Sequence, residues 1–340
     1  MSLADIAAAV ARHRKILITS HTNPDGDNIA SQLGMALILE TLGKRVTILD
    51  QDPVPARYHY LPGWEKIESR IEHQAATLAL VLDCAGIDRI GKTGDIITPA
   101  TMEIANVDHH ISNTGFGQYQ YVDPSASSTC ELVFRIAQKL GVKLTKEKAT
   151  ILLSGLMTDT GGFRYSGATP GTLRTAAQLA EAGADLTWVA EQLYMQQPAN
   201  QLRLLGELLA SLKVEAGGKL AWMAVTQEQL KRHNFNLAES EEFVTYAIAA
   251  KGTEVGILFK EQNDGVIRIS FRSKGRIDVN RLAGMFGGGG HVSAAGARIK
   301  GALVFSAPSF PFEESLGGID IPIMLMAGEN DPAAVHPELP

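Results

Sequence analysis

Cysteine is almost absent. Among 340 residues only Cys84 and Cys130 occur, too few for a disulfide framework, and a reducing cytoplasm is the simplest home for such a chain. Long apolar runs are missing too. No stretch approaches the roughly 18–20 residues that a membrane-spanning helix needs, so no membrane role is expected. The N-terminal segment MSLADIAAAVARHRK carries Asp5 and no small-residue cleavage pattern, so it does not read as a signal peptide. Nor is there the bias of a disordered, collagenous or low-complexity chain. Hydrophobic residues make up 45% and charged residues 20%, close to ordinary globular usage. Basic charge is not in excess: Lys and Arg number 31 against 37 Asp and Glu, a net −6. Tracking along a long nucleic acid is therefore not expected, since that affinity comes from many phosphate neutralisations.

What is present reads as alternating α/β structure. The length favours two domains. Apolar positions Leu3, Ile6, Ala7 and Val10 have helical spacing, and KILITS (15–20) reads as a buried strand. A helix follows over Ile29–Leu42, stopped by Gly43, and then the strands RVTILD (45–50), TLALVLD (77–83) and MEIANVD (102–108). This alternation predicts a parallel sheet with helices on both faces. Residues 129–212 read mostly as helices, starting near Thr129, over Lys146–Met157, over Gly171–Glu181, and over 187–195 and 200–212. A second α/β region begins with LAWMAV (220–225), and EVGILFK (254–260) and VIRISFRS (266–273) flank a hairpin turn, EQNDG. The expected division is a catalytic domain over 1–190, a helical linker over 191–215, a smaller α/β substrate domain over 216–301, and an atypical tail over 302–340.

Three strands end in polar bursts: His21-Thr22-Asn23-Pro24-Asp25-Gly26-Asp27, Asp83, and Asp108-His109-His110. A fourth acid, Asp159, closes an apolar helix before Gly161-Gly162. Each has a bland reading when taken alone. Asp25-Gly-Asp27 suits an Asx-rich turn capping the next helix, Asp83 suits a turn cap, a His pair is often only solvated, and Asp159 suits a helix stop. Ligands in open α/β sheets sit beyond the carboxyl ends of the strands, so these bursts should meet. Five acids and three imidazoles on one sheet edge need cations to offset their repulsion. Carboxylate and imidazole donors without thiolate suit Mn²⁺, with Mg²⁺, Co²⁺ or Fe²⁺ as further options. Strand alternation should turn Cys84 away from the cluster.

The second region is locally basic. Between Val266 and Lys300 stand Arg268, Arg272, Lys274, Arg276, Arg281, Arg298 and Lys300, opposed only by Asp278. Gly287–Gly290 allow close approach of backbone to an anion, and Arg272 and His291 could clamp a phosphate, Arg through paired hydrogen bonds.

His21…Asp25-Gly-Asp27, Asp83, Asp108-His109-His110 and Asp159 together resemble the four ordered motifs of the DHH phosphoesterase superfamily. The run FRSKGRIDVNRLAGMFGGGGHVSAAGA (271–297) is similar to that family's DHH-associated substrate domain. Within the superfamily the two-domain form resembles the group of oligoribonucleases and bisphosphate nucleotide phosphatases called nanoRNases. The resemblance implies one metal on His21, Asp25 and Asp83, and a second on Asp27, Asp83, His109 and Asp159, with Asp83 bridging. It further implies that Asp108 orients neighbouring ligands and that His110 contacts phosphate or donates a proton near the leaving oxygen. Arg272, Gly288, Gly289, Gly290 and His291 would bind substrate. The implied activity is attack of a metal-bound hydroxide on phosphorus, cleaving short oligoribonucleotides and removing the 3′-phosphate of adenosine 3′,5′-bisphosphate. A linear dinucleotide such as pApA stays open as a substrate, a non-catalytic nucleotide sensor as another role, and a homodimer as an assembly. The tail departs from the pattern. Its IPIMLMAGENDP resembles a segment of α/β-hydrolases, but the chain has no G-x-S-x-G elbow, and the tail is given no catalytic role.

Overall fold

The computed structural model describes residues 2–70, 75–97, 102–165, 167–240 and 242–300. The atypical tail over 302–340 lies outside the described residues. Two compact units divide the chain, one ending at Gln196 and the other starting at Gln197. Among the described residues no helix is long and apolar enough to cross a membrane.

The first unit runs α1 (Leu3–Arg12), β1 (Lys15–Thr19), α2 (Gly26–Thr41), β2 (Arg45–Leu49), β3 (Ile67–Glu68), β4 (Leu78–Leu82), β5 (Glu103–Asp108), β6 (Tyr119–Val122), α3 (Thr129–Lys139), α4 (Lys146–Asp159), α5 (Pro170–Glu181) and α6 (Leu186–Tyr194). Its sheet has the order β3-β2-β1-β4-β5-β6, and every pair is parallel. In β4 all five residues, LALVL, are buried, the near-continuous apolar signature of a parallel strand covered on both faces. Ile16, Ile18, Leu80 and Leu82 pack under Ile29 and Leu33 of α2. Leu17, Ala79 and Val81 face the opposite core. The two short edge strands, β3 and β6, went unread in the sequence.

The strand order reverses between β1 and β4, and at such a switch point the loops leaving the two strands part and open a crevice at their carboxyl ends. The loop after β1 turns into α2 because the Asp25 carboxylate accepts the Asn28 N–H at 3.0 Å, an N-cap. Helix α2 then lies against α4 through two glycines. A Cβ on Gly26 would collide with Thr158, and one on Gly34 with Leu152. Gly155 does the same for α3 and α4, since a Cβ there would run into Cys130 Sγ.

The second unit runs α7 (Ala199–Ala210), β7 (Lys213–Glu215), β8 (Leu220–Val225), α8 (Gln227–His233), α9 (Phe243–Ile248), β9 (Val255–Glu261), β10 (Val266–Ser273), α10 (Val279–Gly284), β11 (Gly289–Gly290) and β12 (Ala294–Lys300). Its sheet order is β11-β12-β10-β9-β8-β7. Strands β8 and β9 are parallel, the product of a helical crossover, whereas β9 and β10 form the expected hairpin. Helix α7, which falls in the expected linker, packs Leu204, Leu205 and Leu208 against Ala221 and Met223 of this sheet.

Candidate metal centre

Four chain segments deliver side chains to the crevice of the first unit. His21 follows β1, and Asp25 and Asp27 stand at the head of α2. Asp83 follows β4, Asp108 ends β5 with His109 and His110 just beyond it, and Asp159 ends α4. Asp83 has a left-handed backbone, φ 50°, a conformation that is strained for a side-chain-bearing residue and tends to persist at functional positions. It also interrupts strand alternation. Cys84 therefore joins the Leu17, Ala79 and Val81 side of the sheet, where its Sγ–H donates to the Gly86 carbonyl at 3.1 Å, and it takes no part in the cluster.

Two groups of ligand atoms come together here. His21, Asp25 and Asp83 each place one donor atom within 4.8 Å of the others, and Asp27, His109 and Asp159 do likewise. Asp83 stands between the two groups: one oxygen lies 3.6 Å from His21 Nε2 and the other 3.6 Å from His109 Nε2. His109 Nε2 is also 3.1 Å from Asp159. The second carboxylate of this set, Asp27, is seated on the start of α3, accepting the Cys130 N–H at 3.0 Å.

Asp108 is fully buried and does not join these two groups. One of its oxygens meets His110 Nδ1 at 2.6 Å, and the other accepts from Asn113 Nδ2 at 2.7 Å. Asn113 is braced in turn by Asn106. Asn113 and Asn106 were not singled out from the sequence, nor was Thr129, whose hydroxyl donates to Asp83 at 3.0 Å. Asn113 stands three residues after His110, in the polar stretch that follows β5, and that was a signal for the first of these. Asn106, a polar residue inside the apolar strand β5, carried a mark as well; Thr129 comes from a distant segment and has none.

Burial and crowding set the protonation pattern. Asp27 is pushed well above the carboxylate range by burial and then by repulsion from Asp83 and Asp159. Asp159 is raised by burial and by Asp25 and Asp83. Burial works against the His21 imidazolium, but Asp83 and Asp25 outweigh it and lift His21 to about 9. His109 and His110 are raised by neighbouring carboxylates in spite of their burial. Burial opposes the Asp83 charge as well, yet His21, His110 and His109 hold it below its ordinary value. Four carboxylates and two imidazoles without thiolate, mutually repelling and desolvated, fit a pair of hard or borderline divalent cations.

In the second unit Arg272 lies on β10, half-buried, with Nη1 donating to the Phe271 carbonyl at 3.1 Å. The glycine run is knitted into the protein. The amides of Gly287, Gly288 and Gly290 donate to Gly284 O, Ala283 O and Asn280 Oδ1. Gly288 and Gly290 serve close packing, since a Cβ on either would strike the backbone of β12, and Gly289 pairs with Gly296 of that strand. His291 follows at a tight turn, its N–H donating to Ala294 O at 2.6 Å.

Residues 15–156 match the model of the DHH family, N-terminal domain, and residues 217–307 match the DHHA1 domain. The bifunctional oligoribonuclease and PAP phosphatase NrnA of Thermus thermophilus is 34% identical over 287 residues, covering 84% of this chain and 84% of that protein. The Bacillus subtilis protein of the same name is 27% identical over 299 residues, covering 87% and 92%. Among solved structures, an exopolyphosphatase-related protein from Bacteroides fragilis superposes with a TM-score of 0.83 at 30% identity, covering 88% of this chain and 91% of that one.

Proposed function

The chain belongs to the DHH phosphoesterase family and is a phosphoesterase, and within that family we propose that it cleaves short oligoribonucleotides to mononucleotides and removes the 3′-phosphate of adenosine 3′,5′-bisphosphate. The observation that carries this reading is the position of Asp83, each of whose two oxygens lies 3.6 Å from the imidazole of a different ligand group. We assign His21, Asp25 and Asp83 to one cation, and Asp27, Asp83, His109 and Asp159 to the other. When bound, two divalent cations, Mn²⁺ by preference with Mg²⁺, Co²⁺ or Fe²⁺ as substitutes, would activate water and neutralise charge at phosphorus.

The chain's own residues do the rest. Asp108 fixes Nδ1 of His110, so that the ring is oriented to contact phosphate or donate a proton to the leaving oxygen. Arg272 holds another phosphate of the substrate, with His291 beside the glycine run as a second contact. Catalysis is thereby assigned to 1–190, the connection to 191–215 and substrate binding to 216–301. The near absence of cysteine supports a cytoplasmic setting.

The test is Mn²⁺-dependent release of mononucleotides from RNA dimers to pentamers, set beside phosphate release from the bisphosphate. Specific activity should fall steeply as RNA lengthens from about two to about twenty nucleotides, because the basic stretch spans only a few phosphates. A twenty-mer degraded as fast as a dimer, with steep salt dependence, would replace this reading with a processive exonuclease. Turnover of pApA alone would narrow it to a dinucleotide phosphodiesterase.

A further inference from the structure

Asp50 follows β2, is 2% exposed and belongs to none of the ligand groups described above. One oxygen accepts the Ser20 N–H at 3.0 Å and the Thr19 hydroxyl at 3.3 Å, and the other accepts Gln32 Nε2 at 2.6 Å. The same Gln32 nitrogen donates to Asn28 Oδ1 at 2.8 Å. Asn28 passes the network on: its Nδ2 donates to the His21 carbonyl at 3.1 Å, and its backbone N–H donates to Asp25 at 3.0 Å. On the other arm, the Ser20 hydroxyl donates to the Leu82 carbonyl at 2.6 Å, one residue before Asp83. From Asp50, two arms of hydrogen bonds thus reach His21 and Asp25 directly and the residue before Asp83.

The orientation of Gln32 shows what this arrangement demands. Its Oε1 is buried without a hydrogen-bond partner, which is costly in a protein interior. Turning the amide over would set that oxygen against both Asn28 Oδ1 and the Asp50 carboxylate. The protein keeps an orphaned acceptor so that both donors point along the network. Asp27, His109 and Asp159 are carried by other elements: Asp27 is held on the start of α3, His109 follows β5, and Asp159 ends α4.

We propose that Asp50 is a positioning residue that, through Gln32, Asn28 and Ser20, sets His21 and Asp25 at the first cation site and leaves Asp27, His109 and Asp159 of the second alone, since the Ser20 arm ends on the Leu82 carbonyl and not on the shared Asp83 carboxylate. The inference rests on the two-cation reading given above. Residues that orient ligands from behind are worth about 10–100-fold in metal affinity, and here the effect should fall on one site of two.

Calorimetric titration of the metal-stripped full chain with Mn²⁺ reads this directly, with no turnover required. Wild type should take up two ions. Asp50→Asn turns a donor toward either Ser20 N–H or Gln32, and should weaken one ion about 10–100-fold while the other is unchanged. Gln32→Met, which removes both donors at similar length, should do the same. Added to His21→Ala, Asp50→Asn should change little further; added to Asp159→Asn, it should leave neither site tight. Ile48→Val, a buried change beside Asp50, controls for general loosening and should leave both ions in place. The proposal fails if Asp50→Asn weakens both ions equally, or neither, or if Ile48→Val reproduces its effect at the same loss of melting temperature. A wild-type chain that binds no stoichiometric Mn²⁺ sinks the two-cation reading, and this inference with it.

Discussion

The carboxylate of Asp27 accepts the backbone N–H of Thr129 at 2.6 Å, joining the head of α2 to the first turn of α3 across 102 residues of chain. Its second oxygen takes the Cys130 N–H, so one acid caps two amides that a helix start leaves without partners. This makes two roles separable. Asp27→Asn keeps one acceptor for the helix start and loses the charge, whereas Asp27→Ala loses both. Both variants should lose the same Mn²⁺ ion in titration. In urea unfolding of the metal-free chain, the Ala variant should be about 1–2 kcal/mol less stable than the Asn variant. Equal stabilities would show that water replaces the carboxylate at no cost.

Asp83→Ala should abolish hydrolysis of every substrate, because a residue shared between two cation sites cannot be offset by one remaining site. The check is steady-state turnover together with metal content. Activity within tenfold of wild type, with both ions retained, would remove Asp83 from the bridging position.

Arg272→Ala should separate binding from chemistry. Loss of a bidentate phosphate contact should raise KM for adenosine 3′,5′-bisphosphate far more than it slows hydrolysis of bis(p-nitrophenyl) phosphate, which has no second phosphate. Equal losses on both substrates would argue that Arg272 supports the fold of β10 and holds no ligand.

Burial raises Asp50 to about 6, against the counter-effects of Gln32, Ser20, the His21 charge and Thr19. A carboxyl whose folded value lies above its unfolded one holds its proton more tightly in the native state. Its contribution to stability is therefore full below about pH 4 and is lost as pH climbs through about 6. Between pH 4 and 7 the metal-free wild type should lose about 2–3 kcal/mol relative to Asp50→Asn, the equivalent of a shift of about two units in a fully buried group. Parallel stability curves for the two proteins over that range would show that Asp50 titrates normally.

The sheet of the first unit was legible because each central strand is a short apolar run that ends abruptly in an acid or imidazole. Such runs, alternating with helical patterns, read as covered parallel strands, and several polar ends together read as the ligand edge. Strand β3 is two residues long and β6 is half-buried throughout, so neither carries an alternation to read. The same limit applies around the site. His21, Asp25 and Asp83 announce themselves by breaking a pattern. Gln32 lies inside an apolar helix, Asp50 reads as an ordinary strand end, and Thr129 reads as a helix start. Their roles come from contacts with partners 18, 30 and 46 residues away, which no local pattern records.

Both thiols are sealed in. Cys84 and Cys130 are each 1% exposed; burial pushes Cys84 up to about 12, and burial together with the nearby Asp27 charge raises Cys130 well above the ordinary thiol value. Neither forms a useful fraction of thiolate at neutral pH, so alkylating reagents and peroxide should find nothing to attack in the closed protein. Reaction must wait for the structure to open. Because Cys130 is wedged between Gly155 and the head of α2, its modification rate becomes a clock for the parting of α3 from α4, read without any probe being introduced. Bound cations should slow that clock, while Cys84, on the other face of the sheet, keeps its own time.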